Sequence, residues 1–547
     1  MVQPRGRRPM TQGRHGLQGH LQALLVPAAF VLLFVYPIGR LLLLPWLPSL
    51  GPAGSTGSTG AVAGLPWAAI GNTLRLGLVS TLLAVPVGLA LGWLLERRRW
   101  TGQSVLILTL WLLFLTPSYL LTTGWQIVFS LPMLHRSTLA GYFFAEPGIV
   151  ALLALKGLPF ATLAARASWR AIGAEILDAA RMLVVADWRR RWVLLRLLLP
   201  AVGSAVAVVF IESIQEFGIP ATLGAQIHLP IITYAIYERL ATTPVDFVNA
   251  AWLSWSLVAL AFVAAAVHLY LGSRYGGALV HGRQRAQAAT ACSSGERVAV
   301  QAATGLLAGL GVGIPGVAVV HAALGSAQTQ APLPVPWDSL MHSTVFASIG
   351  ALLAAALAML LIVRQRRRSR TTLLAEGVSL ANMAIPGLVL GAAYVIAFNS
   401  RWLPFYGTPA LLVIAYVAAQ VPMLVRFLQA PMGQVHQNLS DAARLHGLPW
   451  ATRAVDIQAP LLLSPFLWGW TMAFGQIFFE LPVSELLYPA GHAPVGVAIV
   501  ALNQSLRYTE ASRLALAGIG LCLLIAGVVA LALRLAILQP IPKEATS

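Results

Sequence analysis

The sequence predicts an all-α integral membrane protein with about twelve transmembrane helices in two homologous six-helix halves. Hydrophobic residues make up 58% of the chain and charged residues 10%, whereas a soluble domain carries about 25% charged residues. Apolar runs of roughly 20 residues, the length of a membrane-spanning helix, recur along the 547 residues. Arginines cluster in short segments between these runs, which is typical of cytoplasmic loops. The lipid bilayer is therefore the predicted environment of most of the chain.

Composition and motifs exclude several function classes. The net charge of +18 comes from the arginine clusters, so nucleic-acid binding is not predicted. Cys292 and Cys522 lie far apart without a CxxC motif, which predicts neither a disulfide framework nor a zinc site. No histidine has HExxH spacing, and neither Lys156 nor Lys543 follows a glycine-rich loop. The sequence therefore predicts no metal, no cofactor, no catalytic residue and no ATP site of its own. Lys156 is expected to snorkel or to pair within the bundle.

The chain divides into five predicted segments. These are an N-terminal tail with the first span and an external linker (1–64), a first transmembrane domain (65–275), a linker with span seven (276–334), a second transmembrane domain (335–537) and a cytoplasmic tail (538–547). The predicted spans are 21–44, 72–95, 104–123, 148–165, 197–219, 249–272, 299–322, 341–363, 376–397, 409–427, 461–482 and 514–536. The arginine rule places both termini in the cytoplasm. Segment 220–248 and the segment that carries Glu485 to Arg513 are expected to be external loops.

The two transmembrane domains share a repeated pattern. Asp178 and Asp441 lie 263 residues apart, and each is followed by two alanines, which are Ala179 and Ala180 or Ala442 and Ala443. Glu216 follows Asp178 by 38 residues, and Glu480 follows Asp441 by 39. The same order of spans, basic segments and acids in both domains predicts duplication or fusion.

The segment after span ten predicts a short cytoplasmic helix. Ser440 is a favourable N-cap, and Asp441 in the first turn suits the helix dipole. Gly447 can adopt the left-handed conformation that ends a helix, and Pro449 prevents its continuation. Pro460 marks the start of the next span. An ordinary amphipathic connector would share some of these features, but their repetition in both halves favours a docking helix.

These residues resemble a known family. Asp441-Ala442-Ala443, followed by Gly447, Ile457 and Pro460, resembles the cytoplasmic EAA signature of binding-protein-dependent ABC importer permeases. Two copies in one chain resemble the fused permeases of iron(III)- and thiamine-type importers, and the resemblance covers 65–275 and 335–537. The first copy departs from the pattern, with Val184 at the glycine position and Pro200 three residues late.

The resemblance implies partners, location and cargo. It implies two copies of an ATP-binding-cassette ATPase subunit docked on the two EAA segments, and a periplasmic or extracellular solute-binding protein. The chain would be the permease of the importer, in the bacterial inner membrane. Iron(III) is the cargo favoured by the subgroup, with thiamine, polyamine and phosphonate as alternatives.

Four acids are candidates for the translocation path. Glu212 and Glu216 share a helix face, and Glu480 matches Glu216 in the repeat, with Glu485 nearby. Acids at span ends face a cavity or a partner more often than lipid. Simple interfacial placement is the alternative. A twelve-span secondary transporter would also have two halves, but it would not need two cytoplasmic docking helices.

Overall fold

The computed structural model describes most of the chain, and the described part is predominantly helical. The described residues are 30–47, 66–172, 175, 178, 182, 187–275, 289–325, 335–365, 385–400, 402–434, 442, 443, 445–449, 452 and 459–538. Within them, eight helices are long and apolar enough to cross a membrane, or nine if one bent pair counts as a single span. The predicted all-α membrane fold is confirmed, whereas the predicted number of twelve spans is not.

The described part of the first half contains ten helices. They are α1 (Tyr36–Leu43), α2 (Trp67–Arg97), α3 (Gln103–Leu115), α4 (Ser118–Ser130), α5 (Pro132–His135), α6 (Thr138–Phe143), α7 (Glu146–Ala171), α8 (Asp187–Gln215), α9 (Ile232–Ala241) and α10 (Phe247–Tyr275). One π-helical turn, Val31–Val35, precedes α1, and another, Pro220–Gly224, lies between α8 and α9. The predicted third span is broken, since α3 and α4 meet at 106°. Pro117 lies at the break, where its missing N–H interrupts the helical hydrogen bonds.

The second half repeats this order. Its helices are α11 (Ser294–Ala308), α12 (Ile314–Leu324), α13 (Asp338–Gln365), α14 (Gly387–Phe398), α15 (Pro409–Gln434), α16 (Ala459–Phe478), α17 (Pro482–Leu487), α18 (Val495–Gln504) and α19 (Tyr508–Leu538), with a π-helical turn, Gly309–Gly313, between α11 and α12. Pro159 inside α7 and Pro422 inside α15 have the 263-residue spacing of Asp178 and Asp441. The last span begins at Tyr508 rather than at 514.

The first span of each half packs against the other half. Helix α1 and its preceding turn lie on α14, where Tyr394 Oη donates to the Leu33 carbonyl at 2.8 Å. In the same way α12 lies on α4, and Trp125 Nε1 donates to the Leu310 carbonyl at 3.2 Å. This exchange holds the two halves together by packing as well as by the covalent link.

A two-residue strand pair fixes the end of the linker. In this pair, β1 (Arg98–Arg99) is parallel to β2 (Thr290–Ala291). A separate pair, β3 (Asn399–Ser400) and β4 (Leu403–Pro404), is antiparallel and lies outside the linker. Arg98 reaches Thr290 Oγ1 at 2.6 Å and Glu296 at 3.1 Å. Ser293 and Glu296 form a capping box that starts α11. The linker therefore delivers α11 to the first half, which explains why this helix packs there.

Two segments predicted to be external loops contain buried helices, so they are not the simple loops that the sequence predicts. In α9, Ile232 and Ile236 are fully buried, and in α18 Val495 and Ile499 are fully buried. These helices have ten residues each and are too short to cross a bilayer. A search for long apolar runs therefore does not find them. Both helices pack at the junction of the two halves, α9 on α14 and α17, and α18 on the turn Pro220–Gly224.

Helices α2 and α7 approach each other especially closely. A Cβ atom on Gly88 would lie 2.3 Å from Ala161 Cβ, and one on Gly92 would lie 2.5 Å from Ala165 Cβ. Small residues four apart on both helices let the backbones touch, which is the usual basis of tight packing between membrane helices. The two helices therefore form a tightly packed pair.

Candidate coupling segments and translocation path

The second predicted coupling segment contains a helix that ends at Gly447, as the sequence predicts. Ala442 and Ala443 are helical, and Gly447 has a φ of +72°. The Leu448 N–H donates to the Ala443 carbonyl at 3.1 Å. This bond across a left-handed glycine is the Schellman termination, which satisfies a carbonyl left free at the helix end. Asp441 lies outside the described residues.

This short helix presents an apolar surface. Ala442 is exposed, Ala443 is buried, and Leu445 between them and the helix end is 88% exposed. Pro460 is exposed in the first turn of α16. The small side chain of Ala442 allows a partner surface to approach closely, and Leu445 offers that surface an apolar contact. Sequence reasoning found the alanines and missed Leu445, although its place in the helix was available as a signal.

The first predicted coupling segment is described only at isolated positions. Asp178 is helical and exposed, whereas Ala179, Ala180 and Val184 lie outside the described residues. Helix α8 begins at Asp187, so Pro200 lies well inside it. A proline is accommodated in the first turn of a helix but disturbs the interior. The two segments therefore enter their next helices differently.

The residues around the end of α2 hold the end of α7, from which the first segment departs. Glu96 accepts from Arg166 at 3.3 Å and from Arg170 at 2.9 Å. Arg97 donates to the Ile172 carbonyl at 3.2 Å. We call this end of the bundle the basic end. Sequence reasoning treated these arginines only as orienting charges, although Glu96 among them indicated pairing.

Glu216 lies at the break between α3 and α4. Its Oε1 accepts from Ser118 Oγ at 2.5 Å and from the Gly218 N–H at 2.8 Å. A Cβ atom on Gly218 would lie 2.4 Å from Ser118 Oγ, so only glycine allows this approach. The carboxyl group therefore joins the start of α4 to the chain that follows α8.

Lys156 supports the same break from α7. Its Nζ donates to the Leu113 carbonyl at 2.8 Å and to the Thr116 carbonyl at 2.7 Å. These carbonyls are freed where α3 ends, so the lysine satisfies acceptors that would otherwise be unpaired inside the bundle. Glu212 and Glu216 interact electrostatically with it. Glu212 is exposed on α8, one helical turn before Glu216.

Glu480 is engaged by the helix that follows it. Its carboxylate accepts from the Val483 N–H at 2.7 Å, the Ser484 N–H at 2.8 Å and Ser484 Oγ at 2.6 Å. These bonds satisfy the free N–H groups at the start of α17. Glu485 on α17 faces Tyr237 of α9, and its Oε2 is buried without a hydrogen-bond partner among the described residues.

The four predicted acids therefore form two groups rather than one. Glu212 and Glu216 lie with Lys156, and Glu480 and Glu485 lie at α17. The break in the third span connects them, because Ser118 contacts Glu216 and Tyr119 Oη donates to the Phe479 carbonyl at 3.1 Å. In the described ranges, no group of three His, Cys, Asp or Glu side chains could hold a metal ion.

Comparison with known proteins finds a family model that matches part of the chain and several similar permease proteins. Residues 348–540 match the family model described as binding-protein-dependent transport system inner membrane component. The putative ferric transport system permease protein FbpB 1 of Haemophilus influenzae is 25% identical over 303 residues, 51% of this chain and 47% of the relative. The Fe(3+)-transport system permease protein FbpB 2 of the same organism is 23% identical over 461 residues, 82% of this chain and 86% of the relative.

A third relative corresponds in size to one half of the chain. The molybdenum transport system permease protein ModB of Escherichia coli is 26% identical over 216 residues, which are 93% of ModB and 38% of this chain. A nearly complete relative thus aligns with a part of the chain that is somewhat shorter than one half. The alignment with FbpB 1 spans about half of that relative's length.

Proposed function

We propose that the chain is the permease of an ATP-binding-cassette importer, since residues 348–540 match the family model described as binding-protein-dependent transport system inner membrane component. The two halves line a path for a solute that a separate binding protein delivers. ATP is hydrolysed by separate subunits, and this chain is not an enzyme. The basic end of the bundle and both chain termini face the cytoplasm, in keeping with the distribution of arginine.

One observation carries the proposal. A short helix with an exposed apolar surface, which includes Leu445, lies between α15 and α16 and ends at Gly447. In the first half, the corresponding segment around Asp178 follows α7, which Glu96 holds at the basic end. A helix fixed between two spans can transmit a displacement into the bundle. Two such segments in one chain fit two copies of an ATPase subunit.

Co-purification tests this proposal. The full chain should co-purify with an ATP-binding-cassette subunit from its own cell, and Leu445→Asp should abolish the association. Leu139→Asp is the matched control, because Leu139 is 62% exposed on α6, away from the basic end. Association that survives Leu445→Asp would reject the docking surface. Uptake driven by a proton or sodium gradient, with this chain alone in vesicles, would support a secondary transporter instead.

The two coupling segments are proposed to contribute unequally. Pro460 lies in the first turn of α16, whereas Pro200 lies inside α8. Asp178→Lys should therefore reduce ATP-driven uptake less than Asp441→Lys at matched surface expression. Equal losses would contradict the asymmetry.

Iron(III) is the proposed cargo, supported by the names of the FbpB relatives. Thiamine, polyamine and phosphonate are alternatives, and the name of the ModB relative adds molybdenum to these. The acids are proposed to guide a cationic cargo, and Glu212 is the one of the four whose side chain is exposed.

Substitutions of the acids test this role. Replacing Glu216 and Glu480 together by glutamine should reduce uptake of radioactive iron(III) while ATPase docking remains intact. Glu212→Gln alone should do the same. Normal uptake in all these variants would remove the acids from the path.

A further inference from the structure

A buried network of amide side chains connects the two halves. Asn503 Nδ2 donates to Thr123 Oγ1 at 3.0 Å and to Gln126 Oε1 at 2.8 Å. Gln126 Nε2 donates in turn to Gln226 Oε1 at 3.0 Å. Asn503, Thr123 and Gln126 are at most 1% exposed. The network joins α18 of the second half to α4 and to the chain before α9 in the first half.

A neighbouring bond crosses the same junction. Gln504 Nε2 donates to the Ala221 carbonyl at 2.9 Å, and Ala221 is 2% exposed in the turn Pro220–Gly224. The chain that follows Gln226 lies at the start of α2, which is the end of the bundle opposite the basic end, because Asn72 Nδ2 donates to the Pro230 carbonyl at 3.0 Å and the Ile232 N–H donates to Thr73 Oγ1 at 2.9 Å. The contacts therefore join the two halves toward that end.

The internal repeat shows that the helix itself does not require these amides. Ala235-Ile236 in α9 and Ala498-Ile499 in α18 lie 263 residues apart and align the two helices. With that spacing Leu240 occupies the position of Asn503, and Ala241 occupies that of Gln504. An apolar residue therefore fits the equivalent place, and the polar network is particular to one of the two junctions.

The network is incompletely satisfied. Asn503 Oδ1 and Gln226 Nε2 are buried and have no hydrogen-bond partner in the described part of the chain. A buried polar network that is only partly satisfied costs free energy relative to an apolar interior. It is therefore a contact that can be exchanged for water at small cost.

Backbone strain lies beside the same residues. Among described residues, the only non-glycine residues with positive φ are His228 at 52° and Leu506 at 58°. His228 follows Gln226 by two residues, and Leu506 follows Asn503 by three. Gly491, which is 263 residues after His228, adopts a φ of 77° without the steric conflict of a Cβ atom. Strained residues persist where surrounding contacts hold them, and they occur preferentially at switch regions.

We propose that Asn503, Thr123, Gln126 and Gln226 form a latch that closes the path between the halves at the end opposite the basic end. The latch opens during transport, and the strained turns at His228 and Leu506 favour its release. This inference goes deeper into the proposed function, because a latch acts only on a path. Its test nevertheless requires neither cargo nor ATPase.

A reporter cysteine measures the opening. Ala221→Cys is introduced into the full chain with Cys292 and Cys522 replaced by alanine, in vesicles of phosphatidylethanolamine and phosphatidylglycerol. A charged, membrane-impermeant maleimide reacts with this cysteine only when the junction opens. Thr123→Val removes the hydroxyl with little change in shape, and Thr123→Ser retains it. The labelling rate should rise about tenfold in the valine variant, as expected for a buried hydrogen bond of roughly 1.4 kcal/mol, and stay near the parent rate in the serine variant.

The strain provides a second variant with the opposite sign. Leu506→Gly removes the conflict of a side chain with positive φ, so labelling should become slower than in the parent. Equal rates in the parent and in the Thr123→Val and Leu506→Gly variants would overturn the latch. That result together with ATPase co-purification would reject the latch alone. The expected changes in labelling without ATPase association would reject the proposed function and leave the latch as a property of the junction.

Discussion

Lys156 should contribute strongly to stability, because it satisfies two carbonyls at the break in the third span. In the Lys156→Met variant the apolar stem is largely retained, so the change removes mainly the ammonium group. The Leu113 and Thr116 carbonyls, at 2.8 and 2.7 Å from Nζ, then lose their donor. An unsatisfied buried acceptor costs about 1–3 kcal/mol. The expected loss is therefore roughly 2–6 kcal/mol, with the lower end applying if water reaches Thr116.

Thermal unfolding of the purified chain in detergent measures this loss. Each kcal/mol corresponds to about 2–4 °C in domains of 150–250 residues, which is the size of one half. A loss of about 3 kcal/mol should lower the apparent melting temperature by roughly 6–12 °C. Arg136→Met is the matched control, since Arg136 is an exposed cation between α5 and α6. Its substitution should stay within about 0.5 kcal/mol.

A double variant separates the carbonyl contacts from the charge. Removal of Lys156 also leaves Glu212 and Glu216 without the nearby cation. Glu216→Gln in the Lys156→Met background should therefore recover part of the loss, with a coupling of about 0.5–3 kcal/mol. A Lys156→Met variant as stable as Arg136→Met would refute the reasoning altogether.

Two further substitutions test the packing and the coupling helix. Gly88→Leu places its Cβ 2.3 Å from Ala161 Cβ and should separate α2 from α7, with a loss of more than about 3 kcal/mol in thermal unfolding. Gly71→Leu in the same helix is its control, because a Cβ atom there meets nothing within 4 Å, and equal losses would contradict the packing argument. Gly447→Ala forces a side chain into a φ of +72° and should cost about 1 kcal/mol, with weaker ATPase association, measured by co-purification and thermal unfolding. Unchanged association and stability would show that the left-handed turn is not needed.

Patterns within short stretches of sequence predicted much of the fold, because the length of a span and the end of a helix depend on neighbouring residues. The long apolar runs located α2, α7, α13, α15 and α19, since a helix must cover the width of the bilayer. Gly447 and Pro449 predicted a helix end for two reasons. Glycine readily adopts the left-handed conformation that ends a helix, as Gly447 does, and proline cannot continue a helix. The repeat spacing predicted the order of helices in the second half.

Long-range contacts could not be predicted in the same way. Helices α9 and α18 are too short to register as spans, yet they fill the junction of the halves. The exchange of α1 and α12 between halves depends on contacts such as Tyr394 with Leu33, which are 361 residues apart. Lys156 was expected to snorkel or pair, but its carbonyl acceptors exist only because the third span breaks at Pro117.

The same architecture carries different chemistry in the two halves. With Pro159 aligned to Pro422, the position of Lys156 is occupied in the second half by Ala419. Helix α15 therefore has no lysine at the position from which Lys156 donates to two carbonyls in the first half. The amides Asn503 and Gln504 of α18 likewise correspond to Leu240 and Ala241 at the equivalent positions of α9. Two identical chains could not hold such differences. Two similar halves within one chain can differ at these positions, with Lys156 at the break in the first half and the amides Asn503 and Gln504 on α18 of the second.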